Sequence, residues 1–299
     1  FLENKPFSSE EFFDIFSESV NLRTSADVPV ANFLSGGIDS TSIVKNLVDN
    51  EKKVNSFSIY IKENKYDESI YIKEVVKKYN LEHKSTTLSA DISIDEINQA
   101  LNSLDEPYSD PSVVPAYILS KEISQYYKVA ISGDGGDELL GGYERTMRSL
   151  QKPGSFRNLI SKAYNLYPAI LGTGNKLLSN SGDLETKYRS FLEDKKLTNL
   201  LNVSSSSNTF AEGLDYKDIN FYKKLLIADY KFFLPEMMMF KIDRTSMANS
   251  LEVRSPFVDH KLIEFIMSND TTYLNPRNSK EILKKYLSSD FSEEFIFRK

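Results

Sequence analysis

Strand and helix patterns alternate along the first half of the chain, and this alternation constrains the fold more strongly than any other feature. Short runs rich in β-branched and aromatic residues predict strands at 28–34, 54–61, 83–88 and 128–132. Amphipathic stretches between them predict helices at 43–48, 67–79, 91–104 and 113–127. Such alternation is typical of βαβ units, so the sequence predicts an α/β fold in which helices flank a parallel sheet.

The second half of the chain has a different character, because helical periodicity dominates it from residue 221 onward. We therefore expect an α/β core over about 22–145 and a mostly helical part over about 146–299, packed together as one domain.

Composition and charge exclude several classes of protein. The 299 residues include no Cys, which excludes disulfides, thiolate catalysis and zinc–thiolate sites. With 37 Lys and Arg against 43 Asp and Glu, no basic patch dominates, which argues against a nucleic-acid partner. No run approaches the roughly 18 apolar residues of a membrane span, so no membrane association is expected. The first residue is Phe rather than Met, so we expect a fragment or the ordered part of a longer protein.

The first candidate site is the loop Ser35-Gly36-Gly37-Ile38-Asp39-Ser40, between a predicted strand and a predicted helix. Its glycines let the backbone approach a ligand, and the N–H groups at the start of a helix favour phosphate. Asp39 would repel that anion unless it holds Mg²⁺, which bridges carboxylate and phosphate oxygens. An ordinary turn with Asp39 as the helix N-cap is the alternative. The chain has neither a Walker A Gly-Lys pair nor a G-x-G-x-x-G pattern.

The second candidate site is the loop 132–143, SGDGGDELLGGY, which follows the fourth predicted strand. In an open parallel sheet, ligands bind beyond the carboxyl ends of the strands, so this loop should lie beside the first one. Its three carboxylates suit Mg²⁺ binding or acid–base chemistry. A solvated acidic turn is the alternative.

Together, SGGIDS and SGDGGDELLGGY resemble the asparagine synthetase family, in particular its C-terminal ATP-pyrophosphatase (PP-loop) synthetase domain. The segments 105–112, 241–248 and 251–260 resemble the family's DEP-x-x-DPS, KxDRxSMA and LEVRxPFxDH blocks in the expected order. The resemblance implies an adenine nucleotide alpha hydrolase-like fold and a cytoplasmic carbon–nitrogen ligase that uses ATP and Mg²⁺. In such an enzyme a substrate carboxylate, that of aspartate in the first place, is adenylated with release of pyrophosphate, and ammonia then displaces AMP.

The resemblance also implies roles for individual residues. The nucleotide- and pyrophosphate-binding positions are Leu34, Ser35, Gly36, Gly37, Asp39, Ser40, Phe57, Ser58, Ile59, Ser132 and Gly133. Asp39 and Asp137 match the pair that ligates Mg²⁺. Asp134 matches the acidic position near the reacting amine, where many members have Glu; a helix N-cap is its competing role. Glu252 and Arg254, expected in a helix-to-turn stretch, form either a buried pair framing the substrate pocket or a purely structural pair.

The two ends of the chain raise further expectations from the same resemblance. The segment 280–286 matches the family's K-x-IL block, and 295–299 matches the start of a motif whose catalytic Lys is Lys299 or the residue just after it. Relatives carry an N-terminal glutaminase domain with a Cys nucleophile, which this chain lacks. A glutaminase domain or subunit is therefore an expected partner, and a homodimer is left open.

Two alternatives remain open at this point. The same adenylation chemistry could serve another acceptor, as in β-lactam formation, peptide cyclisation or amidation of sugars for surface polysaccharides. A non-catalytic nucleotide-binding module is the alternative of a different class.

Overall fold

The fold is built on one five-stranded sheet. A computed structural model describes residues 5–61, 68–88, 92–150, 219, 221–269 and 279–298. The strands are β1 Val30–Phe33, β2 Asn55–Ile61, β3 Glu82–Leu88, β4 Val129–Ile131 and β5 Glu252–Arg254. Their order is β3-β2-β1-β4-β5, and every neighbouring pair is parallel. The central strand β1 has Ala31 opposite Asn55 on one side and opposite Ala130 on the other.

Helices surround this sheet in the described residues. They are α1 Ser9–Thr24, α2 Ile38–Asp49, α3 Ser69–Tyr79, α4 Ile94–Asn102, α5 Val113–Ser124, α6 Gly136–Leu140, α7 Glu144–Leu150, α8 Phe221–Ala228, α9 Phe240–Met247, α10 His260–Ser268, α11 Glu281–Leu287 and α12 Glu293–Ile296. A π-helical segment, Asp229–Met239, joins α8 to α9, and a 3₁₀ turn, Pro256–Val258, precedes α10. No helix of the described ranges is both long and apolar enough to cross a membrane.

The sheet buries both faces, because successive side chains of a strand point to opposite sides. On one face Ala31, Phe57 and Ala130 pack with Ile123 of α5. On the other face Leu34 and Ile131 belong to the main core, which the helices on that side complete. In β4 all three residues are apolar and buried, as expected of a strand covered on both faces.

Local signals account for several helix boundaries. Ser93 and Glu96 form a reciprocal capping box at the start of α4, and Asp259 caps α10 by accepting from the Lys261 N–H at 2.9 Å. Asp259 also pairs with Arg23 at the end of α1, which ties α10 to that helix.

The predicted α/β fold is confirmed, and all four predicted strands and the helices between them are present with shifted ends. One strand was missed. Glu252 and Arg254 were expected in a helix-to-turn stretch, whereas they form β5, whose three residues pair with β4. The strand β4 is equally short but consists of three apolar residues, whereas two of the three residues of β5 are charged and give no strand signal. The segment 151–218, part of the predicted helical region, lies outside the described residues.

Candidate active site

Two loops meet where β1 and β4 end, as the parallel sheet requires. They enclose a cavity of approximately 260 Å³. Its lining residues are Phe33, Ser35, Gly37, Asp39, Ser40, Ser132, Gly133, Asp134, Gly135, Asp137, Glu138, Tyr143 and Met238. The cavity therefore combines backbone turns at two strand ends with four carboxylates.

The first loop is held by its own hydroxyl groups. The Gly37 N–H donates to Ser35 Oγ at 3.1 Å, and the Ser35 and Ser40 hydroxyls lie 3.1 Å apart. Gly37 is the N-cap of α2, so Asp39 is the second residue inside that helix. The alternative in which Asp39 is the N-cap is therefore wrong, and its side chain lines the cavity instead.

The second loop packs directly on the first. A Cβ atom added to Gly136 would lie 2.6 Å from Cγ of Asp39, so only glycine allows this approach. The Asp134 carbonyl accepts from the Ser255 hydroxyl just after β5, which anchors the loop. Gly135 is the N-cap of α6, so the N-cap alternative for Asp134 is also wrong.

A buried lysine joins two of the carboxylates. Lys280, at the start of α11, makes ion pairs with Asp39 and with Asp137, the latter at 2.6 Å. Its backbone lies in the left-handed region, with φ of 57°, a conformation that non-glycine residues seldom adopt. Such strain often accompanies functional sites, and here it places an ammonium group between the two loops.

Burial shifts the proton affinities of these groups. The pKa of Asp39 is raised to about 6, chiefly because burial disfavours its charge, although Lys280 acts in the opposite direction. Burial also raises the pKa of Asp134, against the effect of the Ser132 hydroxyl and of Lys241. Although burial lowers the pKa of Lys280, Asp137 and Asp39 together raise it above its ordinary value. The site thus holds several carboxylates close to the Lys280 ammonium, and a divalent cation would add positive charge to this group.

A second buried carboxylate network begins at the cavity wall. Glu138 is 1% exposed and accepts from the Tyr143 hydroxyl at 2.5 Å. Burial raises the pKa of Glu138 to about 7. The Arg145 guanidinium lies 3.7 Å from the Tyr143 ring centroid and pairs at 2.6 Å with the fully buried Asp229. Tyr143 is therefore fixed between the cavity carboxylate of Glu138 and Arg145 of α7, which pairs with Asp229 of the π-helical segment.

The opposite wall is held by contacts between distant parts of the chain. Lys241 of α9 donates to Ser112 Oγ at 2.8 Å and pairs with Asp110 at 3.1 Å. The Tyr108 hydroxyl donates to the Met237 carbonyl, next to the cavity residue Met238. Two of the sequence blocks that carried the resemblance therefore meet here.

The comparison with known families decides the identity of this arrangement. The family model described as asparagine synthase matches residues 11–299. The chain belongs to the asparagine synthase family. The resemblance inferred from the two loops is thereby confirmed, and the site is a site of this family's synthetase region.

Curated relatives support the assignment of the chain to the asparagine synthase family. Glutamine-hydrolyzing asparagine synthetase 1 of Bacillus subtilis is 29% identical over 309 residues, covering 97% of this chain and 48% of that protein. Putative glutamine-hydrolyzing asparagine synthetase 2 of Methanocaldococcus jannaschii is 38% identical over 136 residues, covering 45% of this chain and 26% of that protein. Amidase chyE of Penicillium rubens is 26% identical, covering 94% and 48% respectively. The chain spans about half the length of the first of these relatives.

Half of the sixteen predicted site residues of this asparagine synthase family member come together around the cavity. Those lining the cavity are Ser35, Gly37, Asp39, Ser40, Ser132, Gly133, Asp134 and Asp137. Leu34, Phe57 and Ser58 are buried and Ile59 is packed in the sheet core, so they support the loop from behind. Lys299 lies outside the described residues.

The Glu252–Arg254 pair forms, but it is not buried. The two side chains meet at 2.7 Å with Glu252 56% exposed, because β5 is an edge strand. Arg254 also donates to the backbone carbonyls of Arg23 and Ser25 at the C-terminal end of α1. Neither residue lines the cavity, so the structural alternative describes this pair better than the pocket alternative.

Sequence reasoning missed several residues of the site. Tyr143 and Met238 line the cavity, and Lys280 joins its carboxylates; Glu138 also lines the cavity and was counted among the three loop carboxylates without an assigned role. Glu138 and Tyr143 stand inside the recognised loop, so their proximity was a usable signal. Lys280 carried no such signal beyond its place in the K-x-IL block, because 241 residues separate it from Asp39.

Proposed function

We propose that this chain is the synthetase part of an ATP-dependent amide-forming ligase. The observation that carries the proposal is the pair Asp39 and Asp137, joined by Lys280 where two glycine-containing loops meet at the ends of parallel strands. That is the place where open α/β sheets bind nucleotides. The finer proposal is that a carboxylate, in the first place the β-carboxylate of aspartate, attacks the α-phosphate of ATP and is then amidated by ammonia.

The first loop supplies the phosphate-binding groups in this proposal. Gly37 and the residues after it present N–H groups at the start of the 12-residue helix α2, whose dipole favours an anion. The hydroxyls of Ser35 and Ser40 add two donors on the same wall. These groups would stabilise charge on departing pyrophosphate.

The carboxylates fit a magnesium ion. Asp39 Oδ1 is buried and accepts no hydrogen bond in the described residues, so it retains a lone pair for a cation. No group of three or more metal-binding side chains occurs within the described ranges. Two carboxylates still suffice, because Mg²⁺ takes its other ligands from water and substrate phosphates. When bound, the ion would neutralise phosphate charge, while Lys280, released from Asp39 and Asp137, could pair with a phosphate oxygen.

Asp134 is the proposed proton acceptor for the attacking amine. It lines the cavity beyond the phosphate loop, and its raised pKa suits a base that accepts a proton. Glu138, farther along the same loop, has a pKa of about 7 and offers a second acceptor. The two carboxylates differ in their hydrogen-bond partners, because Glu138 already accepts from the Tyr143 hydroxyl.

The ammonia is proposed to come from a glutaminase partner. The relatives named glutamine-hydrolyzing are about twice as long as this chain, which leaves room in them for such a domain. A different acceptor is the second candidate, because one relative covering 94% of this chain bears the name amidase rather than asparagine synthetase.

The test is product formation by the full-length protein with ATP, Mg²⁺ and a panel of carboxylates. We expect pyrophosphate and AMP to form in step with an amide, and only when aspartate and glutamine or ammonia are present. The variants Asp39→Asn and Asp137→Asn should each lower turnover by roughly 100-fold or more. Asp27→Asn, at an exposed position, is the matched control. Pyrophosphate release without aspartate, but with another carboxylate, would establish the second candidate; ATP binding without any turnover would leave only a nucleotide-binding module.

A further inference from the structure

Arg298 contacts the phosphate loop from outside the cavity. Its guanidinium donates to the carbonyl of Gly36 and, at 2.9 Å, to the carbonyl of Phe295. The group lies 3.9 Å from the ring centroid of Tyr71 and 4.6 Å from that of Phe295. Two aromatic rings and a carbonyl of α12 therefore hold the guanidinium in one orientation, with one remaining edge directed at the loop.

Arg298 binds the peptide between Gly36 and Gly37, whose orientation decides whether an N–H or a C=O faces the cavity. The peptide between Gly36 and Gly37 is planar and trans, so its C=O and its N–H point in opposite directions. Arg298 binds the C=O, and the N–H points to Ser35 Oγ on the cavity side. Gly37 and Ser35 line the cavity, whereas Gly36 and Arg298 do not.

Two contacts fix this peptide, namely Arg298 on its C=O and Ser35 Oγ on its N–H. Gly36 has φ of 76°, and glycine crosses easily between backbone regions. A flipped peptide would turn a carbonyl oxygen toward the cavity in place of an N–H, and an oxygen repels phosphate. A Cβ atom at Gly36 would lie 3.2 Å from Cβ of Tyr71, so the residue whose ring holds the guanidinium also lies against the loop.

We propose that Arg298 is a positioning residue that selects the orientation of the Gly36–Gly37 peptide in which the N–H faces the bound phosphates. This inference rests on the proposed function, because it takes the ligand of the loop to be a nucleotide phosphate. It assigns to the segment after α12 a role in the affinity for ATP or pyrophosphate, exerted through the loop backbone.

The chain offers a direct probe of this peptide. It contains three Gly-Gly pairs: 36–37, 135–136 and 141–142. In protein labelled with [1-¹³C,¹⁵N]glycine, each pair gives a carbonyl–amide correlation in an HNCO spectrum.

Two variants of Arg298 test its role. Arg298→Lys keeps the charge but cannot donate to both carbonyls in one plane, and Arg298→Gln removes the charge. We expect both variants to move the 36–37 peak while the other two peaks stay, and to weaken binding of inorganic pyrophosphate or Mg-ATP roughly tenfold or more. Lys should retain more affinity than Gln.

Ile266→Val, a buried change in α10, is the control for a general loss of stability and should move neither the 36–37 peak nor the affinity. Unchanged affinity with an unmoved 36–37 peak would overturn the proposal, as would weaker binding while that peak stays in place. If the parent protein binds neither pyrophosphate nor Mg-ATP, the proposed function fails. The 36–37 peak would then still report whether Arg298 orients the peptide.

Discussion

Replacing Glu138 by Gln should make the protein more stable at alkaline pH. The buried carboxyl has a pKa of about 7 against an ordinary 4.5, so the folded state binds its proton more tightly than the unfolded state does. One pKa unit corresponds to about 1.4 kcal/mol, so the ionised side chain costs about 3 kcal/mol of folding free energy. A raised pKa means that this stability is fully present below pH 4.5 and is lost as the pH rises through about 7. Gln keeps the oxygen that accepts from Tyr143 and carries no charge at any pH.

The assay is denaturant unfolding of parent and Glu138→Gln protein at pH 4.5, 6 and 8. The difference in unfolding free energy should be near zero at pH 4.5 and grow toward about 3 kcal/mol in favour of the variant at pH 8. Glu264→Gln removes an exposed carboxylate from α10 and should leave the pH dependence of the parent unchanged. A difference that stays flat with pH, or a variant less stable than the parent at pH 8, would refute the burial argument.

Three further changes test packing, capping and the site. Phe257→Ala empties a fully buried ring position and should lower the unfolding free energy by about 3–5 kcal/mol, measured by denaturant titration. Asp259→Ala removes the α10 cap and the partner of Arg23, and should cost about 1–3 kcal/mol in the same measurement, whereas Asp259→Asn should recover part of the cap. Gly136→Ala places a methyl group against the Asp39 carboxyl, so turnover and Mg²⁺ dependence should suffer far more than the melting temperature; an unimpaired variant would contradict the close contact.

The sheet could be predicted because β-branched and aromatic residues near each of its first four strands give a local strand signal. The strand β2 has β-branched or aromatic side chains at four of its seven residues, Phe57, Ile59, Tyr60 and Ile61, and this composition favours a strand. The strand β5 has three residues, of which Glu252 is 56% exposed, and nothing in so short a polar segment indicates a strand. Its pairing with β4 depends on tertiary packing, because Leu251 and Val253 pack on the same sheet face as Ala130.

The candidate site was predictable to the extent that its residues follow strand ends. Parallel strands place their carboxyl ends at one edge of the sheet, and this rule predicts that the loops carrying Asp39 and Asp137 lie side by side. Lys280 obeys no such rule, because it enters from α11 and its sequence surroundings look like the start of an ordinary helix. Only the folded chain brings its ammonium to the two carboxylates.

That lysine explains how so many carboxylates can share a small cavity. Asp39, Asp134, Asp137 and Glu138 all line the cavity, and burial raises the pKa of three of them. Four ionised groups would repel one another strongly in a low-dielectric site, whereas one ammonium and partial protonation reduce that charge. Under the proposed function, a divalent cation bound with a polyphosphate would take over the carboxylates that Lys280 holds.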